Sequence, residues 1–220
     1  MKKALAMLVA LTAALSFFAC QRQIPTKGYD APTQTVSDFL EAVKAYDHDR
    51  AEEYLASSEE VFFMGLSDSQ FEIYTILDNF TDGMTMWIQN ASPKTVYSFT
   101  YSNSDADTAQ VRAYVKQIDG TALLTSALNG YREACVAAGL KDGDYPDLAA
   151  YLDERIVRDM RNDPPKYREI IAVFDLKKTD GKWLILPGKG VTQTMTCGLF
   201  ENEEAIIKAL EAMRLTEVKK

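Results

Sequence analysis

Side chains able to perform acid–base or nucleophilic chemistry are few in this sequence. The only histidine, His48, stands between Asp47 and Asp49 at the junction of two predicted helices, where an imidazole could act as a general base. The same position is typical of an exposed loop residue, and we favour that interpretation. No serine lies in the Gly-x-Ser-x-Gly pattern that presents a nucleophile on a strand-to-helix turn. We therefore predict no catalytic residues from the sequence.

Candidate ligands for metal ions and phosphate are also weak. Asp142, Asp144 and Asp147 could offer carboxylate oxygens to calcium, but the glutamate that completes an EF-hand loop is missing. An acidic turn is the better interpretation of these three residues. The stretch Gly188–Gly190 follows a predicted strand, yet we expect no helix to begin there, as a phosphate loop would require. The sequence therefore predicts no metal and no cofactor.

Cys20 has the clearest chemical signal, because it ends an apolar run near the N-terminus. Two lysines form a positive start, and the run from Ala4 to Phe18 is shorter than the roughly 20 residues that a membrane-spanning helix needs. This layout is typical of a secretory signal peptide. A cysteine directly after a small residue, Ala19, resembles the lipobox of bacterial lipoproteins. The resemblance implies a signal peptide over residues 1–19 and a diacylglycerol on the Cys20 thiol.

The mature chain would be a tethered, acidic protein. Residues 20–32 contain two prolines and a glycine without periodicity, which indicates a flexible tether. Beyond the signal peptide, 22 basic residues face 32 acidic ones, a formal charge of −10. This balance argues against nucleic acid and against anionic lipid headgroups as partners. We expect the protein to be lipid-anchored on the extracytoplasmic face of the cell membrane. Signal cleavage after Ser16 is the alternative, and it would release the protein.

Two further cysteines, Cys135 and Cys197, could pair in an oxidising compartment. A disulfide between them would close a long loop and in principle stabilise the fold by about 4 kcal/mol. Cys135 lies in a helical pattern among small apolar residues, where a free buried thiol is common. Both states are therefore open, and the disulfide remains a candidate. Neither cysteine has the spacing of a zinc or dithiol motif.

Apolar periodicity and capping signals predict several helices before the first strand. An amphipathic helix has apolar residues at i, i+3, i+4 and i+7 spacing, namely Val36, Phe39, Leu40, Val43 and Tyr46. Its expected capping box is Thr35–Asp38, and Asp49 is the expected cap of a short second helix. The Ser67–Gln70 pair opens a third helix, in which Gly83 marks a kink or a break.

Two alternating stretches predict β-hairpins on either side of a helical stretch. Residues 96–115 alternate around a short polar turn, and residues 167–186 contain β-formers around a Thr-Asp-Gly turn. The helical stretch covers about residues 121–163, and a last helix lies near the C-terminus. The sequence therefore predicts one α+β domain over residues 33–220. Its N-terminal helices would pack on a curved antiparallel four-stranded sheet, with a helical insertion between the hairpins.

A set of aromatic residues could line an apolar pocket between helices and sheet, namely Phe71, Tyr74, Trp87, Tyr97, Phe99 and Tyr101. Most residues of this kind belong to the core of a protein. An open pocket among them would admit a small apolar ligand.

Short residue patterns in two parts of the chain resemble those of a known protein superfamily. The pattern Val36-x-x-Phe39-Leu40-x-Ala42, followed by Tyr54-Leu55, resembles the opening helix pair of the nuclear transport factor 2-like (cystatin-like) superfamily. The stretch Phe174–Ile185 resembles its closing hairpin. More narrowly, the chain resembles uncharacterised lipoproteins of Gram-positive bacteria that carry this fold behind a lipobox. The helical stretch between the hairpins is a departure from compact members of the superfamily, and the fold hosts enzymes, carriers and adaptors alike.

Two functions from different classes follow. The first is a non-enzymatic binding or assembly module whose partner is a second copy pairing through the sheet, another envelope protein, or a small apolar ligand. The second is an enzyme of isomerase or dehydratase type that uses a cavity between helix and sheet. An enzyme of this kind needs a buried carboxylate facing an open cavity. A module should instead expose an apolar patch.

Overall fold

The structure is a computed structural model that describes residues 29–56, 66–77, 80–137 and 147–217. The predicted signal peptide, Cys20 and most of the predicted tether lie outside these residues, as do Asp142 and Asp144. The described residues from Ala31 onward belong to one compact unit.

The chain alternates between helical and strand-rich stretches. The helices are α1 (Ala31–Lys44), α2 (His48–Glu52), α3 (Asp68–Ile76), α4 (Asp82–Ala91), α5 (Gly120–Ala137), α6 (Leu148–Asn162), α7 (Lys189–Met195) and α8 (Glu203–Glu217). A short 3-10 turn, Ser92–Lys94, follows α4. The strands are β1 (Val96–Ser104), β2 (Thr108–Ile118), β3 (Tyr167–Thr179) and β4 (Lys182–Ile185). The prediction of an α+β fold with a helical insertion between two hairpins is confirmed.

The four strands form one antiparallel sheet in the order β1-β2-β3-β4. The predicted turn between β3 and β4 is present, with Asp180 and Gly181 both at positive φ (52° and 82°), as a two-residue hairpin requires. The helices α5 and α6 occupy the connection between β2 and β3. Because β2 and β3 remain neighbours, the insertion does not interrupt the sheet.

The inner face of the sheet packs against α1 and is fully occupied. Alternate residues of β2 and β3 point to this face and are almost completely buried, namely Val111, Ala113, Val115, Ala172, Phe174 and Leu176. Phe39 of α1 meets Phe174 edge to face, with ring centroids 6.0 Å apart. Burying an aromatic or aliphatic side chain of this size contributes about 1.5–3 kcal/mol. This layer therefore holds α1 firmly on the sheet.

A second apolar cluster forms among the helices α3, α4, α5, α6 and α8. Gly83 lies in the first turn of α4, where its backbone N–H donates to the Asp153 carboxylate of α6 at 2.6 Å. A Cβ at position 83 would lie 2.7 Å from that carboxylate. Of the two predictions for Gly83, a kink or a break, the break is confirmed, since a separate helix begins here and Thr81 caps it. No helix in the described ranges is long and apolar enough to span a membrane.

Two predicted helix starts differ from the structure, and one helix is present where the sequence predicts none. α1 begins at Ala31, with Pro32 in its first turn, and Thr35 lies inside the helix, where its hydroxyl donates to the Ala31 carbonyl. Proline favours the first turn because it has no N–H to leave unpaired. Asp47, and not Asp49, caps α2. The helix α7 begins at Lys189, where we expected none. The predicted capping box at the start of α3 is confirmed.

Candidate functional site: the outer face of the sheet

The aromatic residues predicted to line one pocket lie in different parts of the fold. Tyr97 is buried on β1 against α1, where its hydroxyl donates to the Glu41 carboxylate at 2.8 Å. Phe99 packs edge to face on Tyr97 with ring centroids 5.6 Å apart. Tyr101, two residues further along β1, is 47% exposed on the opposite face of the sheet. A β-bulge between Phe99 and Tyr101 produces this change of face.

The other members of the set belong to the helical cluster. Tyr74 of α3 packs against Phe80 and Phe200, with ring centroids 5.5 and 6.3 Å apart. Trp87 of α4 is buried and lines a cleft among the helices. The side chain of Phe71 lies outside the part that the structure describes. Of the placed residues, therefore, Trp87 alone lines that cleft.

Cys135 and Cys197 are both free thiols, and both are buried. Cys135 lies on α5, and Cys197 lies in the turn after α7. The candidate disulfide is therefore not formed in the structure, and each thiol is packed as an apolar side chain in the helical cluster. Burial raises the pKa of Cys197 to about 11, although the hydroxyls of Ser92 and Thr95 oppose that shift.

The outer face of the sheet carries an exposed apolar surface. Eight large hydrophobic side chains are exposed in the described part of the chain, and five of them lie on this face: Val96, Tyr101, Tyr167, Ile171 and Val173. Ile171 is 54% exposed at the middle of β3. The strand register places Val173 beside Arg112 of β2, which pairs in turn with Tyr101 of β1. The exposed apolar residues thus lie on β1 and β3, on either side of the polar outer face of β2. A concentration of exposed apolar side chains on one face is typical of an interaction site.

Charged residues on the outer face lie on two neighbouring strands, β2 and β3. Arg112 and Lys116 lie on β2, whereas Glu169 and Asp175 lie on β3. The Lys116 ammonium is 3.5 Å from the Glu169 carboxylate, and it lies 5.7 Å from the centre of the Tyr167 ring. The outer face thus carries two basic residues on β2 and two acidic residues on β3, where Lys177 adds one positive charge.

The same contacts shift the pKa values of two side chains on the outer face, Glu169 and Tyr114. A hydrogen bond from the Tyr114 hydroxyl holds the pKa of Glu169 below its usual value, and Lys116 adds to the effect. The same hydrogen bond raises the pKa of Tyr114. Glu169 therefore stays ionised at neutral pH and keeps its negative charge on β3. A lowered carboxyl pKa suits a structural ion pair, whereas a general acid needs a raised one.

The other residues that were considered for catalysis or metal binding do not lie together in one site. His48 is exposed at the start of α2 and packs against the Tyr46 ring with centroids 4.4 Å apart. Asp147 caps α6 through the N–H of Ala150, which is a structural role. Among the described residues, no three metal-ligating side chains cluster together.

The sequence of β3 contains a signal that could have predicted the apolar outer face. A strand that is buried on one face should alternate between apolar and polar residues. In β3, however, Ile170, Ile171, Ala172, Val173 and Phe174 form a continuous apolar run. The odd-numbered members of that run are the residues that reach the outer face. The break in alternation was therefore the sign of a second apolar surface.

No protein-family model, no curated protein and no solved structure matches the chain.

Proposed function

We propose that this protein is a lipid-anchored, extracytoplasmic, non-enzymatic assembly module that binds its partner through the outer face of the sheet. The observation that carries the proposal is the concentration of exposed apolar side chains on that face. The inner face supports a module over an enzyme, because Phe39, Val111 and Phe174 fill the space between α1 and the sheet. A cavity enzyme of isomerase or dehydratase type would need that space for its substrate.

The partner that this face fits best is a second copy of the chain. Two sheets that pack face to face around a two-fold axis parallel to the strands place β2 of one copy over β3 of the other. By the strand register, Lys116 then lies level with Glu169 of the other copy, and Arg112 lies level with Val173. Ile171 lies level with Tyr114 of the other copy. Such a dimer therefore places one pair of opposite charges and several apolar side chains face to face.

The size of the face suggests that the anchor contributes to assembly. Three strands of about 11 residues span roughly 500 Å² at standard strand spacing, and a stable interface buries about 800 Å² on each partner. A face of this size favours a weak dimer in dilute solution. Confinement on a membrane raises the effective concentration of one copy around another. A lipid on Cys20 would therefore promote pairing that the free domain makes only at high concentration.

The pairing can be tested by charging the centre of the face. Ile171→Asp places a carboxylate at the middle of the interface, and we expect a tenfold or larger rise in the dimer dissociation constant. Sedimentation equilibrium over a wide concentration range measures that constant. Val136→Asp is the matched control, since Val136 is 75% exposed on α5, away from the sheet. If the purified protein stays monomeric up to millimolar concentration, the second copy is the wrong partner and another envelope protein must occupy the face.

The anchor can be tested separately in the cell of origin. Cys20→Ser removes the thiol that would receive the lipid, so we expect an uncleaved precursor or release into the medium. Mass spectrometry of the wild-type N-terminal peptide should show an acylated Cys20. An N-terminus beginning at residue 17 would support ordinary signal cleavage instead.

We also propose that the domain is a nuclear transport factor 2-like variant. The order of elements supports this assignment, since α1 and α2 precede an antiparallel sheet that packs on α1. The insertion of α5 and α6 between β2 and β3 is its main departure. An experimental structure whose sheet curves around α1 would support the assignment, and a flat sheet would contradict it.

A further inference from the structure

A polar pocket lies where the start of α3, one side of α7 and the start of α8 meet, and its volume is about 260 Å³. Small-molecule sites usually measure about 300–1,000 Å³ and have a mainly apolar lining. Here only two of the ten described lining residues, Leu66 and Phe200, are apolar. The pocket therefore fits a small ligand that is held mainly by hydrogen bonds.

One wall of the pocket is a polar stripe along α7. Lys189, Thr192 and Gln193, with Thr196 at the end of the helix, recur at i, i+3, i+4 and i+7 spacing and all line the pocket. This spacing places the four side chains on one side of a helix. Because Gly190 lies directly against the backbone of β3, α7 holds the stripe in a fixed position.

The second wall is fixed by Gln70 of α3. Its side-chain carbonyl accepts the backbone N–H of Ser67 at 2.8 Å, and its amide nitrogen donates to the backbone carbonyl of Phe200. Gln70 thus joins α3 to the residues that precede α8. Both walls are therefore held by contacts within the protein, and a ligand would meet a preformed site.

The hydroxyl of Thr192 differs from those of the other threonines in the same helical segment. The hydroxyls of Thr194 and Thr196 donate to the carbonyls four residues earlier, at 2.8 and 2.7 Å. Thr192 is only 6% exposed, yet its hydroxyl has no hydrogen-bond partner among the described residues. A buried hydroxyl without a partner is unfavourable. Thr192 therefore brings an unused donor and acceptor to the wall of the pocket.

Glu201 provides a second unused group. One oxygen of its carboxylate, Oε2, pairs with the Arg168 guanidinium. The other oxygen, Oε1, is buried and has no hydrogen-bond partner in the part of the chain that the structure describes. This oxygen can only accept a hydrogen bond, whereas the Thr192 hydroxyl can donate one. Ligand hydroxyls satisfy both groups, because a hydroxyl both donates and accepts.

The charges around the pocket favour a neutral ligand. Glu201 is already compensated by Arg168. The other charged side chains among the described lining residues are Lys189 and Glu203, which carry opposite charges. The formal charges of these four side chains therefore sum to zero. Neither an anion nor a cation gains a net electrostatic advantage from them.

We propose that this pocket binds a small neutral polyol, of the size of one sugar unit, whose hydroxyls bind Thr192 and Glu201. One water occupies about 30 Å³ of liquid volume, so the pocket has room for a ligand that replaces several waters. A polyol carries several hydroxyls at fixed spacing, which suits a preformed polar wall. This binding site goes beyond the proposed assembly function, since none of its lining residues belongs to the outer face of the sheet.

Six related probes test the chemistry of the ligand. Glucose, galactose and mannose are titrated into the purified protein to high millimolar concentration, and binding is followed by saturation-transfer NMR. We expect at least one of these hexoses to bind. The amino sugar and the uronic acid that correspond to it should bind at least tenfold more weakly. Absence of binding by all three hexoses would overturn the proposal, as would tighter binding of either charged derivative.

A matched pair of variants in α7 locates the site. Thr192→Val removes the unpartnered hydroxyl and keeps the shape of the side chain, so it should weaken hexose binding at least tenfold. Thr194→Val makes the same change at a hydroxyl that is already engaged and does not line the pocket, so it should leave the affinity unchanged. Unchanged affinity in Thr192→Val, or an equal loss in both variants, would show that the Thr192 hydroxyl does not bind the ligand.

Two further variants separate this site from the assembly face. Gln193→Phe should fill the pocket and abolish hexose binding, with a thermal melt to check folding. Ile171→Asp should retain hexose affinity, because it alters only the outer face of the sheet. Loss of binding in Ile171→Asp would place the ligand on the outer face and overturn the assignment of the pocket, whatever the result for dimerisation.

Discussion

At the scale of single residues, burial controls the chemistry of the thiols. Cys197 is completely buried, and its pKa rises from an ordinary 9.0 to about 11. The cause is desolvation, because the thiolate loses more hydration than the neutral thiol when it is enclosed by protein. Burial also raises the pKa of Cys135. Both side chains therefore behave as small apolar groups, and not as nucleophiles.

We expect Cys197 to resist alkylation in the folded protein. At pH 8 a thiol with a pKa of about 11 is only about one-thousandth ionised, and the ionised form is the nucleophile. Iodoacetamide should modify both internal thiols quickly in denaturant and very slowly in buffer, as followed by peptide mass spectrometry. Rapid native labelling of Cys197 would contradict the packing described here.

The same shift makes stability depend on alkaline pH. A folded-state pKa above the unfolded value stabilises the fold below pH 9, and that contribution is lost as pH rises from 9 to about 11. The loss should approach about 2–3 kcal/mol, by the usual conversion of pKa units. Urea melts of the wild-type protein and Cys197→Ala at pH 8 and pH 10.5 should converge by that amount. Parallel pH dependence in the two proteins would refute the shift.

At the scale of secondary structure elements, the packing of α7 on β3 depends on one glycine. A Cβ on Gly190 would lie 2.2 Å from the carbonyl oxygen of Val173, a contact with rigid backbone. The helix can approach the strand only because position 190 has no side chain. Gly188, two residues earlier, has nothing within 4 Å of its virtual Cβ, and its φ of 174° is an extended conformation open to any residue.

These neighbouring glycines provide a matched pair. Gly190→Ala should destabilise the protein by about 1–3 kcal/mol, as overpacking commonly does. Gly188→Ala should change stability by less than about 1 kcal/mol, because it neither clashes nor requires a left-handed backbone. Thermal or urea unfolding distinguishes the two. Equal effects would mean that α7 does not pack on β3 at this distance.

At the scale of the whole molecule, Arg168 connects the sheet to the helical cluster. From β3 it donates to the Thr121 hydroxyl of α5 at 2.6 Å and forms an ion pair with Glu201, just before α8. The two side chains of the ion pair are only 18% and 19% exposed. Gly198 lies directly against the guanidinium, with its φ at 75°. Arg168 is thus a point where three separate parts of the chain meet.

We expect Arg168→Met to cost about 2–3 kcal/mol, because it leaves the Glu201 carboxylate without a cation in a largely buried position. Arg168→Met/Glu201→Met should recover much of that loss, since replacing both partners removes the uncompensated charge. Arg158→Met, at a side chain that is 50% exposed, should have little effect. Urea unfolding of the four proteins measures these differences. An unrecovered double variant would show that the ion pair itself stabilises the fold.

Much of the architecture was accessible from the sequence because its signals are local. The alternation in β2, the turn at Asp180–Gly181 and the Ser67–Gln70 capping box each depend on neighbours within a few residues, and these predictions are confirmed. In β1 the predicted alternation ends at Phe99, where a bulge moves Tyr101 to the other face. The break predicted at Gly83 is also present, because a separate helix, α4, begins there. The glycines at positions 188 and 190 led to an error, because they favoured a loop where the short helix α7 begins.

The sequence by itself determined the element types, the two hairpins and the acidic balance of charge, because periodicity, turn chemistry and composition need no knowledge of distant contacts. Only the tertiary structure decided which apolar residues remain exposed, that the predicted aromatic set does not share one pocket, and that Thr192 and Glu201 line the same pocket. Burial is a property of residues far apart in the chain, so these features follow from packing alone.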